Sequence, residues 1–162
     1  MAGLPLRSRR DATAQQGLPL LLAGAAAQAV LASFAPSPWW VPDLTLLALL
    51  VAVADAPPRW LLYGALAGWL SGVWMAQDAW VVVAAHIVLA AVIRIGTQMW
   101  DLTDRRIQRL CVGTLSLALW SSLAWLQDAW SLPMAGGLLL RSGLTVLALP
   151  LVARRWARPL AG

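Results

Sequence analysis

The chain of 162 residues is 60 % hydrophobic and 12 % charged, with a mean hydropathy of +0.71, whereas an ordinary soluble domain is roughly 25 % charged. A soluble globule of this size would have too few polar side chains to cover its surface, so the composition excludes one and names lipid as the solvent. The net charge of +5 is built from 12 Arg and 7 Asp, without Lys or Glu; the arginines stand in short runs between apolar segments, which excludes the clustered basic footprint that nucleic acid requires.

Apolar runs read against their breakers give an all-α membrane protein of six spans. A polar, basic tail over 1–17 leads into the first span, 18–35, which carries small residues at Ala23, Gly24 and Ala27. Pro36, Pro38 and Pro42 separate it from the second, 40–55, which opens on Pro42-Asp43; a proline followed by a carboxylate suits a helix start through fixed φ and the helix dipole. Consecutive prolines in Ala56-Pro57-Pro58-Arg59 end that span. The third, 60–76, has glycines at 64, 68 and 72, an i, i+4, i+8 stripe that lets another helix approach to backbone distance.

The fourth span, 79–100, contains His86 and Arg94, and a loop rich in charge (Asp101, Asp104, Arg105, Arg106, Arg109) leads to the fifth, 110–130. The sixth, 133–153, opens on Pro133 and carries Arg141, and the chain closes with a basic tail over 154–162. The whole of 18–153 reads as one transmembrane domain.

Orientation follows from arginine asymmetry. Arg7, Arg9, Arg10, Arg59, Arg105, Arg106, Arg109, Arg154, Arg155 and Arg158 all fall on one side of a six-span chain, and the loops on the other side have none. The positive-inside rule then places both termini in the cytoplasm. Trp39, Trp40, Trp74, Trp80 and Trp130 near the outer ends, and Trp60, Trp100 and Trp156 near the inner ends, suit headgroup-level anchors; Trp69, Trp120 and Trp125 lie deeper.

Few polar groups remain for function. Arg141 stands about 12 Å inside the membrane, counted from Pro133 at 1.5 Å per residue, and needs a counterion, a polar cavity or a snorkelling route. Asp43 and Asp128, both read as lying near the outer face, are its candidate partners. His86 is the only histidine, and the turn before it is wholly apolar, so it reads as a histidine hydrogen-bonded within the bundle. Cys111 is alone, which excludes an internal disulfide and a CxxC zinc site. Serines 71, 116, 121 and 122 lack a GxSxG setting or a base at helical spacing. The sequence therefore offers no catalytic residue, metal site or cofactor motif, and helix-to-helix recognition is the function it leaves.

The order of these features over about residues 36–158 resembles the bacterial rod-shape-determining protein MreD family. The likeness rests on Pro42-Asp43-Leu44-Thr45-Leu46-Leu47, Gly64-Ala65-Leu66-Ala67-Gly68, His86, and Leu138-Leu139-Leu140-Arg141 through Pro150 to Arg154-Arg155. Ser71-Gly72 stands where the family often has an acidic residue. The resemblance implies a non-enzymatic scaffold of the cell-wall elongation machinery in the bacterial inner membrane. Such a scaffold binds the bitopic protein MreC and, through it, a SEDS glycosyltransferase, a class B penicillin-binding protein and MreB filaments. On that reading Gly64, Gly68, Gly72, Ala23 and Ala27 form the partner groove. The family's six-helix fold is similar to the S components of ECF vitamin transporters, so the alternative expectation is a substrate-binding S component.

Overall fold

The computed structural model describes residues 17–75, 78–99, 104–126, 128 and 130–153. The basic tails, with Arg7, Arg9, Arg10, Arg154, Arg155, Arg158 and Trp156, lie outside the described residues, as do Trp100 and Asp101. Within them the fold is all-α: α1 (Gly17–Phe34), α2 (Leu44–Asp55), α3 (Trp60–Met75), α4 (Ala79–Met99), α5 (Arg105–Leu126) and α6 (Leu132–Ala153), with 3-10 turns at Pro38–Trp40 and Pro57–Arg59. Four helices, α1, α4, α5 and α6, are long and apolar enough to cross a membrane, which makes this a multi-pass membrane protein.

Two helix starts differ from the sequence expectation by four residues or more, each for a local reason. The second helix starts at Leu44 rather than at 40, because Pro38–Trp40 closes into a 3-10 turn and Asp43 caps the helix from Leu44 onward. The fifth starts at Arg105 rather than at 110. Asp104 accepts from Arg106 N through Oδ1 (2.7 Å) and from Gln108 N through its carbonyl (2.9 Å), so Arg105, Arg106 and Arg109 of the expected charged loop are already helix.

Neighbouring helices run antiparallel. Gln28 of α1 meets Thr45 of α2, Gly64 and Gly68 of α3 meet residues 82–90 of α4, and Ser116 of α5 meets Ser142 of α6. This puts the segment 35–43 and residues 128, 130 and 131 at one end of the bundle. Arg59, Arg105, Arg106 and Arg109 lie at the other.

Nine consecutive residues of α2, Thr45 to Val53, are buried, as expected of a helix packed on all sides. It contacts α1, α3, α4 and α6 and reaches α5 through Asp43 and Trp120. The outer helices bury single stripes instead: Val82, His86, Leu89, Ala90 and Ile93 on α4; Val112, Ser116, Leu119, Trp120 and Leu123 on α5. At 12 residues, α2 is about 18 Å long, well short of a hydrocarbon core of about 30 Å. The irregular segment 35–43 precedes α2, and Val41, Asp43 and the half-buried Trp39 pack that segment into the bundle.

The glycine stripe, expected to receive a partner's helix, is covered by the chain's own α4. A Cβ on Gly68 would lie 2.5 Å from Val83 Cα, and one on Gly64 would lie 3.0 Å from both His86 O and Ile87 Cα. Gly72 is in ordinary contact with Ala79. The i, i+4, i+8 spacing thus serves the closest helix pair of the fold. On α1 the faces divide: a Cβ on Gly24 would lie 2.9 Å from both Leu44 O and Ala48 Cβ, while Ala23 and Ala27 remain exposed.

Candidate functional site

Because α2 begins inside the bundle, its first amides cannot turn to water and need partners from the protein. Leu44 N donates to Pro42 O (3.0 Å), Thr45 N to Oε1 of Gln28 (3.0 Å), and Leu46 N to Oδ1 of Asp43 (2.9 Å). Thr45 Oγ1 donates to the same Gln28 oxygen (3.1 Å). Asp43 is thus the N-cap of a helix that starts inside the bundle, and it is 0 % exposed. It is enclosed by the bundle rather than open at a helix start, a difference the Pro-Asp signature does not register, since that signature is the same at a surface and inside a bundle.

The second oxygen of Asp43 faces two groups from other helices. Trp120 Nε1 donates to Oδ2 at 2.7 Å, and Arg141 Nη2 lies 3.8 Å from the same oxygen. The indole serves both members of this pair, because its face carries the Arg141 guanidinium 4.1 Å from the ring centroid. Cation–π attraction is strongest over Trp and grows when the cation is desolvated, and Arg141 is 1 % exposed. The Nη2–Oδ2 contact is longer than a hydrogen bond, so Coulomb attraction is what it contributes. The carboxylate also sits on the positive end of the α2 dipole.

Thr145 closes the arrangement. Its Oγ1 donates to Arg141 O (2.8 Å) and accepts from Asp43 N (2.8 Å), which ties one turn of α6 to the first turn of α2. One turn further, Ser142 Oγ donates to Ser116 Oγ at 3.3 Å. Counted from the helix ends at 1.5 Å per residue, Gln28, His86, Trp120 and Arg141 lie about 9 to 14 Å below the arginine-free end. Asp128, the other candidate counterion, stands exposed in the α5–α6 turn with φ 50°.

His86 is fully buried on α4. Its Nδ1 lies 2.8 Å from Val82 O, a contact that requires Nδ1–H, which leaves Nε2 to accept from Ser71 Oγ of α3 at 3.4 Å. The partner is thus a backbone carbonyl one turn back and a hydroxyl from the neighbouring helix, neither visible in the apolar turn 81–85. A serine beside an oriented imidazole is the nucleophile–base pair of acyl-transfer sites. Here Ser71 is 5 % and His86 0 % exposed, so the bundle itself covers both reacting atoms. Among the described residues no group of three or more His, Cys, Asp or Glu is placed to hold a metal ion.

The network around Asp43 therefore joins α1, α2, α5 and α6 through Gln28, Thr45, Trp120, Arg141 and Thr145, and the Ser71–His86 contact separately joins α3 to α4. Sequence reading singles out Asp43, His86 and Arg141 but misses Gln28, Trp120 and Thr145, which are ordinary polar or aromatic residues in their own helices. The deep tryptophans divide accordingly: Trp120 is buried, whereas Trp69 and Trp125 are 57 % and 71 % exposed toward lipid. Comparison with protein-family models, with curated proteins and with solved structures returns no match.

Proposed function

We propose that this chain is a non-enzymatic scaffold of the MreD type in the bacterial inner membrane. It crosses the bilayer six times with both termini cytoplasmic, and α1 receives the transmembrane helix of a bitopic, MreC-like partner. Through that partner it joins a SEDS glycosyltransferase, a class B penicillin-binding protein and MreB filaments. The observation that carries the reading is the coverage of α1. It buries only Gly17, Leu21 and Ala25, a single stripe, and leaves Ala23, Ala26 and Ala27 exposed on its far side. In lipid, where apolar side chains gain nothing by leaving hydrocarbon, exposed small residues are what let a second helix pack closely. The arginine asymmetry supports the orientation, and the inward closure of the buried polar cluster around Asp43 and His86 supports a binding role over a chemical one.

The S-component reading has one observation in its favour: a helix N-terminus within a bundle is a natural seat for an anionic ligand. In this chain Asp43 already occupies that seat with its own carboxylate, which favours the scaffold.

The test is co-purification of the full chain with a co-expressed MreC-like protein. Ala23→Leu and Ala27→Leu change exposed positions, so the variants are expected to insert and fold normally yet lose the partner. Undiminished co-purification would sink the α1 assignment.

A further inference from the structure

The start of α3 and the end of α4 bring two exposed arginines to one corner of the bundle. Gly64 packs against residues 86–90 of α4, so the antiparallel register brings Trp60, one turn earlier on α3, level with about residue 92. Arg94 therefore reaches back along α4 to the indole, and its guanidinium carbon stands 5.8 Å from the Trp60 ring centroid. Arg59 is the residue before Trp60 and ends the 3-10 turn Pro57–Arg59; both arginines are exposed. From Arg94, α4 continues five residues to Met99, about 8 Å, with Ile95 and Met99 exposed at 57 % and 73 %. That last stretch also carries the exposed Gln98 and leads to the arginine-bearing end of the bundle; in the other direction, toward the middle of the bundle, Val88 and Val92 of α4 and Leu61 and Leu62 of α3 are exposed apolar residues. Among the described residues at this end of the bundle, Asp55, which ends α2 four residues before Arg59, and Asp104 are the acidic groups, against Arg59, Arg94, Arg105, Arg106 and Arg109, so those residues carry net positive charge.

We propose that this corner binds the phosphate of an anionic phospholipid. Arg94 and Arg59 supply the cationic donors, Trp60 supplies a ring at headgroup depth, and the exposed Val92, Val88 and Leu61, toward the middle of the bundle, supply the apolar surface along which an acyl chain lies. Basic pockets between helices are a recurring seat for acidic headgroups, and guanidinium groups match phosphate oxygens in geometry as well as charge. The inference rests on the membrane-spanning helices alone and stands independently of the scaffold reading.

The experiment uses the full chain in detergent, titrated with phosphatidylglycerol or phosphatidylcholine, and reads both lipid retained in native mass spectrometry and the shift in Tm. Retention of phosphatidylglycerol over phosphatidylcholine is expected for the unmodified chain and for Arg109→Gln, an exposed arginine of α5. Arg94→Gln is expected to weaken retention about five-fold, the scale of one basic residue at a lipid surface, and Arg59→Gln to weaken it independently. Equal retention of both lipids would overturn the proposal, and so would an equal effect of Arg109→Gln and Arg94→Gln, which would mean diffuse attraction. Displacement of the lipid by millimolar inorganic phosphate would show a site for free anions and overturn the lipid assignment.

Discussion

Gly68→Ala adds one methyl group at the tightest helix contact in the fold, and the structure fixes where that methyl must go. It would stand 2.5 Å from Val83 Cα, 3.0 Å from Val82 O and 3.1 Å from His86 Cβ. None of these atoms can rotate aside, because two belong to backbone and the third is attached to it. Restoring ordinary contact requires α3 and α4 to part by about 1 Å, and a gap of that size forfeits a quarter to a half of the dispersion energy of each contact it opens. Overpacking of this kind costs about 1–3 kcal/mol. The Ser71–His86 contact, already 3.4 Å, lies one turn away and is expected to break with it. Gly143 is the control, since a Cβ there meets nothing within 4 Å. Gly143→Ala therefore gains helix propensity, up to about 1 kcal/mol, without a clash. Unfolding by SDS titration in mixed micelles reads helix packing directly, and the two alanine variants are expected to move the midpoint in opposite directions. A Gly68→Ala midpoint equal to that of the parent or of Gly143→Ala would refute the packing argument.

Further expectations concern the cluster at the start of α2. Asp43→Asn leaves the Arg141 charge buried without its counterion and is expected to cost about 3–5 kcal/mol. Arg141→Met is expected to cost less, because Asp43 keeps its bonds from Leu46 N and Trp120 Nε1. The double variant Asp43→Asn/Arg141→Met is then expected to be more stable than Asp43→Asn alone in the same titration, and strict additivity would argue against a coupled pair. Gln28→Leu removes the acceptor of Thr45 N and Oγ1 and is expected to destabilise by about 1–3 kcal/mol, the cost of an unmet buried donor. A fluorophosphonate probe is expected to leave Ser71 unlabelled in membranes; labelling abolished by Ser71→Ala would overturn the non-enzymatic reading.

The helices are legible in the sequence because the signals that delimit them are local. Pro57-Pro58 cannot continue a helix wherever it lies, and the 3.6-residue period of buried positions on α4 and α5 is written in the chain. Where local signals are ambiguous, sequence and structure part. Trp40 reads as the start of a span but belongs to a 3-10 turn, and Arg105 to Arg109 read as a loop although arginine is a good helix former. Depth is the larger loss. Pro42-Asp43 has the appearance of a surface cap, and only the packing of α1, α5 and α6 around it reveals that the cap is internal. The spacing of Gly64, Gly68 and Gly72 announces a close helix contact but not its occupant, which is α4. The pairing of Arg141 with Asp43 rather than Asp128 depends on a register between elements about a hundred residues apart, and nothing near Arg141 encodes it.

The central claim is that α1 offers a partner-binding face while the polar interior serves cohesion. Photo-crosslinking residues placed singly along α1 in cells making the full chain test it most directly. Adducts with one single-span protein are expected at 23, 26, 27 and 30, a helical face, and none at Leu147, which is 75 % exposed on α6. Adducts of equal yield at Leu147, or none along α1, would contradict the claim.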